Sequence, residues 1–256
     1  MTAYLDNAAT TPVCREAAEA ALRVMTEGFG NPSAQYSLGQ QARKQLEGDR
    51  KTVAAALGCQ PREVVFTSCG TESDNWALRL GAERNRHKGR HIITTAIEHG
   101  AILQTCRQLE AEGWEVTYLP PNREGTVSLS DLEAALRPET ALVSMMLVNN
   151  EVGTVLPVRE AAALVKRYDR RILFHTDAVQ GFLKLPFTPA QLGVDLLSLS
   201  GHKVHAPKGI GALYIRSGVP LKPLILGGGQ ENGLRSGTQP TAQIAAFAAA
   251  CQAGRA

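Results

Sequence analysis

Nowhere in the 256 residues does an uninterrupted apolar stretch approach the roughly 18 residues of a membrane-spanning helix. The N-terminus, Met1-Thr2-Ala3-Tyr4-Leu5-Asp6-Asn7, lacks both the basic start and the apolar core of a signal peptide. Cysteine is scarce: Cys14, Cys59, Cys69, Cys106 and Cys251 are odd in number and form no CxxC pair. A disulfide framework and a thiolate metal cluster are therefore not expected, and a cytoplasmic protein in a reducing compartment is. Charge of one sign is also missing. Lys+Arg number 27 against 24 Asp+Glu, a net +3 without a long basic run, which argues against nucleic acid as a direct partner. No repeat, low-complexity tract or linker divides the chain, so one α/β domain is expected.

What is present is a globular composition, 44% hydrophobic and 20% charged, at a length that buries a core without staples. Helical and strand patterns alternate. Thr11-Pro12 reads as a helix start, with Ala18, Leu22 and Met25 at helical spacing. A second helix carries Ala42, Leu46, Val53 and Leu57 and stops at Gly58. Val64-Val65-Phe66 reads as a strand, and Thr71-Glu72-Ser73-Asp74 as a capping box opening a helix towards Lys88. Strands follow at Ile92-Ile93, Trp114–Leu119, Ala141–Leu147, Ile172–Phe174 and Leu196–Leu199, and Ile210–Ile215 reads as an edge hairpin strand. Helices are expected after Gly100, from a capping box at Ser130-Asp131-Leu132-Glu133, over Pro157–Tyr168 and over Gln239–Cys251. Strands separated by helices imply crossovers, hence a mostly parallel, helix-covered sheet of the α/β class, with ligands at the C-terminal strand ends.

Four strand ends carry reactive side chains. Ser68-Cys69-Gly70-Thr71 offers a Gly-containing turn into a helix N-terminus, suited to phosphate, although Thr71 would serve equally as a cap. Glu98-His99-Gly100 offers an imidazole for proton transfer or stacking, or a histidine that merely starts a helix. In His175-Thr176-Asp177-Ala178-Val179-Gln180, the carboxylate and the amide share one face if a helical turn follows, and a buried Asp177 requires a charged or donor partner. Ser200-Gly201-His202-Lys203 places a lysine directly after an apolar strand, where burial would make its amine nucleophilic. Together these match what a protein supplies to pyridoxal 5'-phosphate (PLP); an aldolase lysine without cofactor also fits Lys203. His202 and His205 lack a third ligand, so no metal is expected. Gly227-Gly228-Gly229-Gln230 has neither P-loop nor dinucleotide register and reads as a turn near the site.

The sequence resembles the cysteine desulfurases of the class V aminotransferase family, the NifS/IscS-like enzymes of PLP-dependent fold type I. The resemblance is carried in family order by Tyr4–Pro12, Phe29–Ser33, Phe66–Ser73 and Glu98-His99, then by Asn149–Gly153, His175–Gln180, Ser198–Lys203 and Arg235–Thr238. It implies that Lys203 holds the cofactor's aldehyde, Asp177 pairs with the pyridine nitrogen, Gln180 and Asn150 lie near the phenolic oxygen, and His99 stacks on the ring. Gly70, Thr71, Ser200 and His202 would form the phosphate cradle, Gly201 would also lie in the cofactor site, and Thr238 would reach the phosphate of a neighbouring subunit in a homodimer. Lys203 and His99 would be the catalytic residues.

The resemblance also implies the large domain of an aminotransferase-like fold over residues 12–256, preceded by an N-terminal segment over 1–11. Family members continue into a small C-terminal domain that bears the persulfide-forming cysteine and a carboxylate-binding arginine; none of the five cysteines here matches that nucleophile. The implied reaction is L-cysteine to L-alanine, with sulfur passed to an acceptor protein of iron–sulfur cluster assembly or tRNA thiolation, and this chain alone is expected to have little or no such activity. A selenocysteine lyase, another class V lyase, or a non-catalytic form that binds PLP or only dimerises are the alternatives.

Overall fold

The computed structural model describes residues 3–254. Seven strands form one sheet: β1 Val64–Thr67, β2 His91–Thr95, β3 Glu115–Leu119, β4 Thr140–Ser144, β5 Leu173–Asp177, β6 Leu196–Ser200 and β7 Gly211–Ile215. Their order is β1-β7-β6-β5-β4-β2-β3, parallel from β3 through to β6, with β7 antiparallel to both neighbours. Every residue of β2, β4, β5 and β6 is buried, as expected for strands covered on both faces. The period-2 alternation sorts neighbours to opposite layers. Ile92, Leu142, Leu173 and Leu196 join Trp76 and Leu78 of α3 (Gly70–Arg84) and Ile102 of α4 (Gly100–Ala111). Ile93, Val143, Phe174 and Leu197 face the other way, with α2 (Ser37–Leu57), α6 (Val158–Tyr168) and α8 (Thr241–Ala253).

Several local expectations change. Ile210–Ile215 is not an edge: β7 lies between β1 and β6, because β1 returns antiparallel outside it. Thr11-Pro12 does not start a helix. The Thr11 hydroxyl donates to His202 O and accepts the His205 N–H, so α1 (Arg15–Thr26) begins only after Cys14. At α3 the capping box does not form: the helix opens at Gly70, no side chain caps it, and the Glu72 carboxylate turns back to the Ser68 N–H and hydroxyl. That helix ends at Arg84, short of Lys88, and buried Asn85 then donates to Ala141 O and Arg171 O. The cap of α5 (Leu129–Ala135) is Ser128, which accepts from Asp131 N–H, not Ser130. The strand read over Ala141–Leu147 is regular only to Ser144, although the Met145 and Leu147 N–H groups still bond His175 O and Asp177 O of β5 and the segment stays buried. Elsewhere Gly58 ends α2 at φ +76, where glycine adopts a left-handed cap without strain. A short α7 (Pro189–Leu192) precedes β6. No described helix is long and apolar enough to cross a membrane.

One buried ion pair ties the layers. Arg50 of α2 makes a two-pronged contact with Glu231, at 2.6 and 2.8 Å, in the loop that precedes α8. Glu231 also accepts from Phe66 N–H and Gln239 Nε2, and the Arg50 guanidinium lies 4.8 Å from the Phe66 ring centroid. Removing one partner would leave the other charge buried and uncompensated. Arg50→Met is therefore expected to cost about 3–5 kcal/mol, measured as a shift in urea unfolding. A loss below about 1 kcal/mol, the range of exposed pairs, would show that the pair does not lock the loop.

Candidate active site

The C-terminal ends of β5 and β6, the N-terminus of α3 and the N-terminal segment enclose a cavity of about 410 Å³. Gly70, Thr71, His99, Asn150, Asp177, Gln180, Ser200, His202 and Lys203 all line it. Gly201 lies beneath, buried; a Cβ there would meet Ile210 Cγ2 at 2.8 Å, so the lysine-bearing turn packs too closely for a side chain. Thr238 is not brought in: it is exposed and lines a separate shallow cleft with Ser68 and Arg235.

Asp177 ends β5 with its carboxylate on the floor. Its Oδ1 accepts the Val179 N–H at 2.9 Å. Burial raises its pKa, opposed by that hydrogen bond and by His99 and Lys203. Lys203 leaves β6 through a single 3-10 turn and donates to the carbonyls of Ala8 and Ala9, the latter at 2.8 Å. Burial lowers its pKa, while Asp177, Asp6 and Glu151 work against that. His99 caps α4: its Nδ1 accepts the Ala101 N–H at 3.1 Å, which leaves the ring proton of the neutral imidazole on Nε2. Asn150 directs its amide to Glu151, and Gln180 donates to Ala8 O.

The start of α3 has the character of an anion site. No side chain caps its first N–H groups, and a Cβ on Gly70 would stand 2.9 Å from Val179 Cγ2, so only glycine permits this approach. The Ser200 hydroxyl faces the cavity without a protein partner among the described residues. His202 Nδ1 contacts Thr10 Oγ1 at 3.1 Å. Among the described residues no three His, Cys, Asp or Glu groups are arranged to hold a metal.

Sequence reasoning missed part of the lining. Asp6, Ala8 and Ala9 close one side, and Cys69, Asp74, Met146, Glu151 and Val179 contribute the rest. Asp74, read as a helix-capping residue, is buried, with Oδ1 lacking a hydrogen bond and His175 Nε2 3.7 Å away. Burial, reinforced by Asp177 and Glu98, holds its pKa well above the ordinary carboxyl value. Its signal was available: an acidic residue four after Gly70 must face the same side of α3 as the turn itself.

The profile of the aminotransferase class-V family matches residues 3–253. The chain is 51% identical over 236 residues to a cysteine desulfurase IscS of Methanosarcina thermophila, covering 92% of this chain and 58% of that protein. It is 49% identical over 241 residues to a cysteine desulfurase IscS of Dictyoglomus turgidum, covering 94% and 61%. The chain thus spans about three-fifths of the length of these curated relatives. Among solved structures it is similar to one described as a NifS-like protein, at TM-score 0.97 and 45% identity, over all of this chain and 70% of that one. It is also similar to one described as SspA in complex with cysteine, at TM-score 0.94 and 43% identity, over 98% and 72%.

Behind the cavity, Glu98 is fully buried; Oε1 accepts from Thr95 Oγ1 and Met146 N–H, and Oε2 has no partner. Burial pushes its pKa from 4.5 up to about 8. Between those values the native chain holds a proton that the unfolded chain has lost, so this group's contribution to stability falls as pH rises. Relative to wild type, Glu98→Gln is expected to gain about 2–4 kcal/mol between pH 4.5 and 8, read by urea unfolding at several pH values. A pH-independent difference would show that Glu98 titrates as an ordinary carboxyl.

Proposed function

The chain belongs to the aminotransferase class-V family, and from that premise we propose that it binds PLP in this cavity and supplies the cofactor-holding part of a cysteine desulfurase. One observation carries the reading: an amine on Lys203, a buried carboxylate on Asp177 and an uncapped helix N-terminus at Gly70 line the same cavity. PLP needs an amine for its aldehyde, an acid for its ring nitrogen and donors for its phosphate, and the residues present fit all three. Residues 12–256 would form the large PLP-binding domain and residues 1–11 an N-terminal segment, from which Asp6, Ala8 and Ala9 line the cavity.

When bound, PLP supplies an aldehyde that captures amines and a ring that withdraws electrons from the substrate carbon. Asp177 would keep a proton at the pyridine nitrogen, and its buried setting makes a cationic partner favourable. His99 would lie against the ring. The amides of Gly70 and Thr71, with Ser200 and His202, would bind the phosphate, and Asn150 and Gln180 would face the phenolic oxygen. Lys203 Nζ would hold the aldehyde carbon and, as a free amine, would move the proton at the substrate Cα; its lowered pKa favours that free amine. The products would be L-alanine and sulfur carried as a persulfide to an acceptor protein of iron–sulfur cluster assembly or tRNA thiolation. Exposed Thr238 would reach the phosphate in the neighbouring subunit of a cytoplasmic homodimer.

The five thiols are poorly placed to accept that sulfur. Burial pushes Cys59 and Cys106 up to about 12, Cys251 is buried in α8, and Cys69 sits in the phosphate turn. Cys14 borders a different cleft, beside His205. The 256-residue chain alone is thus expected to release little sulfide from L-cysteine, and robust turnover would overturn this. Adding PLP to the purified chain should produce a visible absorption band that Lys203→Ala abolishes. No band in the wild type, or an unchanged band in the variant, would remove Lys203 from its role.

A further inference from the structure

The two ends of the Gln180 amide have nearly the same shape and differ in what they can bond. Its neighbours decide which end the cavity sees. Lys184 Nζ, which can only donate, contacts Gln180 Oε1 at 2.9 Å, and Gln180 Nε2 in turn donates to Ala8 O at 2.8 Å. Ala8 O also accepts from Lys203 Nζ, so the donor end of the amide and the lysine amine meet at one carbonyl on the cavity wall. Reversing the amide would set Oε1 against Ala8 O and Nε2 against an ammonium, two mismatches at once.

Lys184 reaches this position through a costly backbone. After β5 the Gly181 and Phe182 N–H groups both bond Ala178 O, and the Lys184 and Leu185 N–H groups both bond Gly181 O. Leu183 is held at φ +58, in the left-handed region that an apolar side chain seldom occupies. Such strain persists only where surrounding packing enforces it. Here Phe182 is buried edge-on against Phe247, with ring centroids 6.3 Å apart, and a Cβ on Gly181 would meet Leu147 Cδ2 at 2.7 Å.

The geometry points to Lys184 as a positioning residue: it orients the Gln180 amide so that Nε2 is presented to an anionic oxygen in the cavity. Under the PLP reading, on which this rests, that oxygen is the cofactor's phenolic oxygen. The other titratable groups lining the cavity are Asp6, Cys69, Asp74, His99, Glu151, Asp177, His202 and Lys203, and beyond Lys184 the adjoining cleft holds Cys14 and His205. Of these, Lys203 bears directly on Lys184: burial, and then the Lys203 charge, lower the Lys184 pKa. A through-space effect of the Lys184 charge must therefore be separated from its effect through Gln180.

The test is to load the wild-type chain, Lys184→Met, Lys184→Arg, Gln180→Leu and the Lys184→Met/Gln180→Leu double variant with PLP, and to titrate the visible absorption band with pH. Losing a donor to the anionic oxygen favours its protonated form, so the midpoint should rise by about one pH unit in Lys184→Met. Lys184→Arg should return it close to wild type, and adding Lys184→Met to Gln180→Leu should shift it no further. An unchanged midpoint in Lys184→Met overturns the proposal. A second shift of the same size in the Gln180→Leu background also does, since it would assign the effect to charge alone. If Lys184→Met does not fold, Lys184→Ala carries the same expectation. A wild-type chain that shows no band overturns the PLP reading and this inference with it, whereas a normal wild-type band with unshifted variants overturns this inference alone.

Discussion

The cavity rests on the burial of three carboxyl groups: Asp177 at the end of β5, Glu98 just beyond β2 and Asp74 near the start of α3. Desolvation dominates all three and raises each pKa. The adjacent His175 offers no compensation, because burial pushes it down to about 3; it is a neutral link between the Ser144 and Ser198 hydroxyls. The Val179 N–H hydrogen bond, and then His99 and Lys203, draw Asp177 back towards its charged form. Proton or charge is therefore held here against the protein's own preference, which is how functional sites differ from cores. A cationic group entering beside Asp177 would relieve a cost already built into the fold.

The same constraint explains the N-terminal segment. Lys203 would be a poor neighbour for an empty cavity, and the segment supplies what the sheet cannot: carbonyl oxygens. Ala8 and Ala9 accept from its amine, and the Thr11 N–H and hydroxyl both bond His202 O, two residues from the sheet's end. Cys14 N–H then bonds His205 O, and His205 itself sits at φ +63. The lysine turn is thus braced from outside the sheet by backbone groups, and its conformation depends on a segment with no secondary structure of its own.

This division shows what could be read from the sequence. The strand ends were legible because buried parallel strands are apolar runs, and a polar residue ending one, as Asp177 ends β5 and Lys203 follows β6, stands out against packing. Backbone acceptors carry no side-chain signature, so Ala8 and Ala9 were invisible, as was the place of β7, whose five residues look the same on an edge as between β1 and β6. The α3 capping box failed for a sharper reason. Thr71 and Asp74 satisfy the pattern, but the helix already opens at Gly70, so Thr71 lies inside its first turn while Asp74 is buried facing the cavity. A local rule is broken where a ligand would replace the missing cap.

The open helix start and the Arg50–Glu231 pair are parts of one arrangement. Glu72 meets Arg235 at 2.9 Å, and Arg235 lies in the loop that Glu231 anchors to α2 and to the Phe66 N–H. Glu72 also accepts the Ser68 N–H and hydroxyl, so it links the turn before α3 to the segment that leads to Thr238. Two residues of the loop are left-handed, Glu231 at φ +48 and Asn232 at φ +56, and Glu231 is held there by Arg50. Arg50 holds Glu231 and Glu72 holds Arg235, so the loop bearing the exposed Thr238 is fixed both to α2 and to the turn that opens α3.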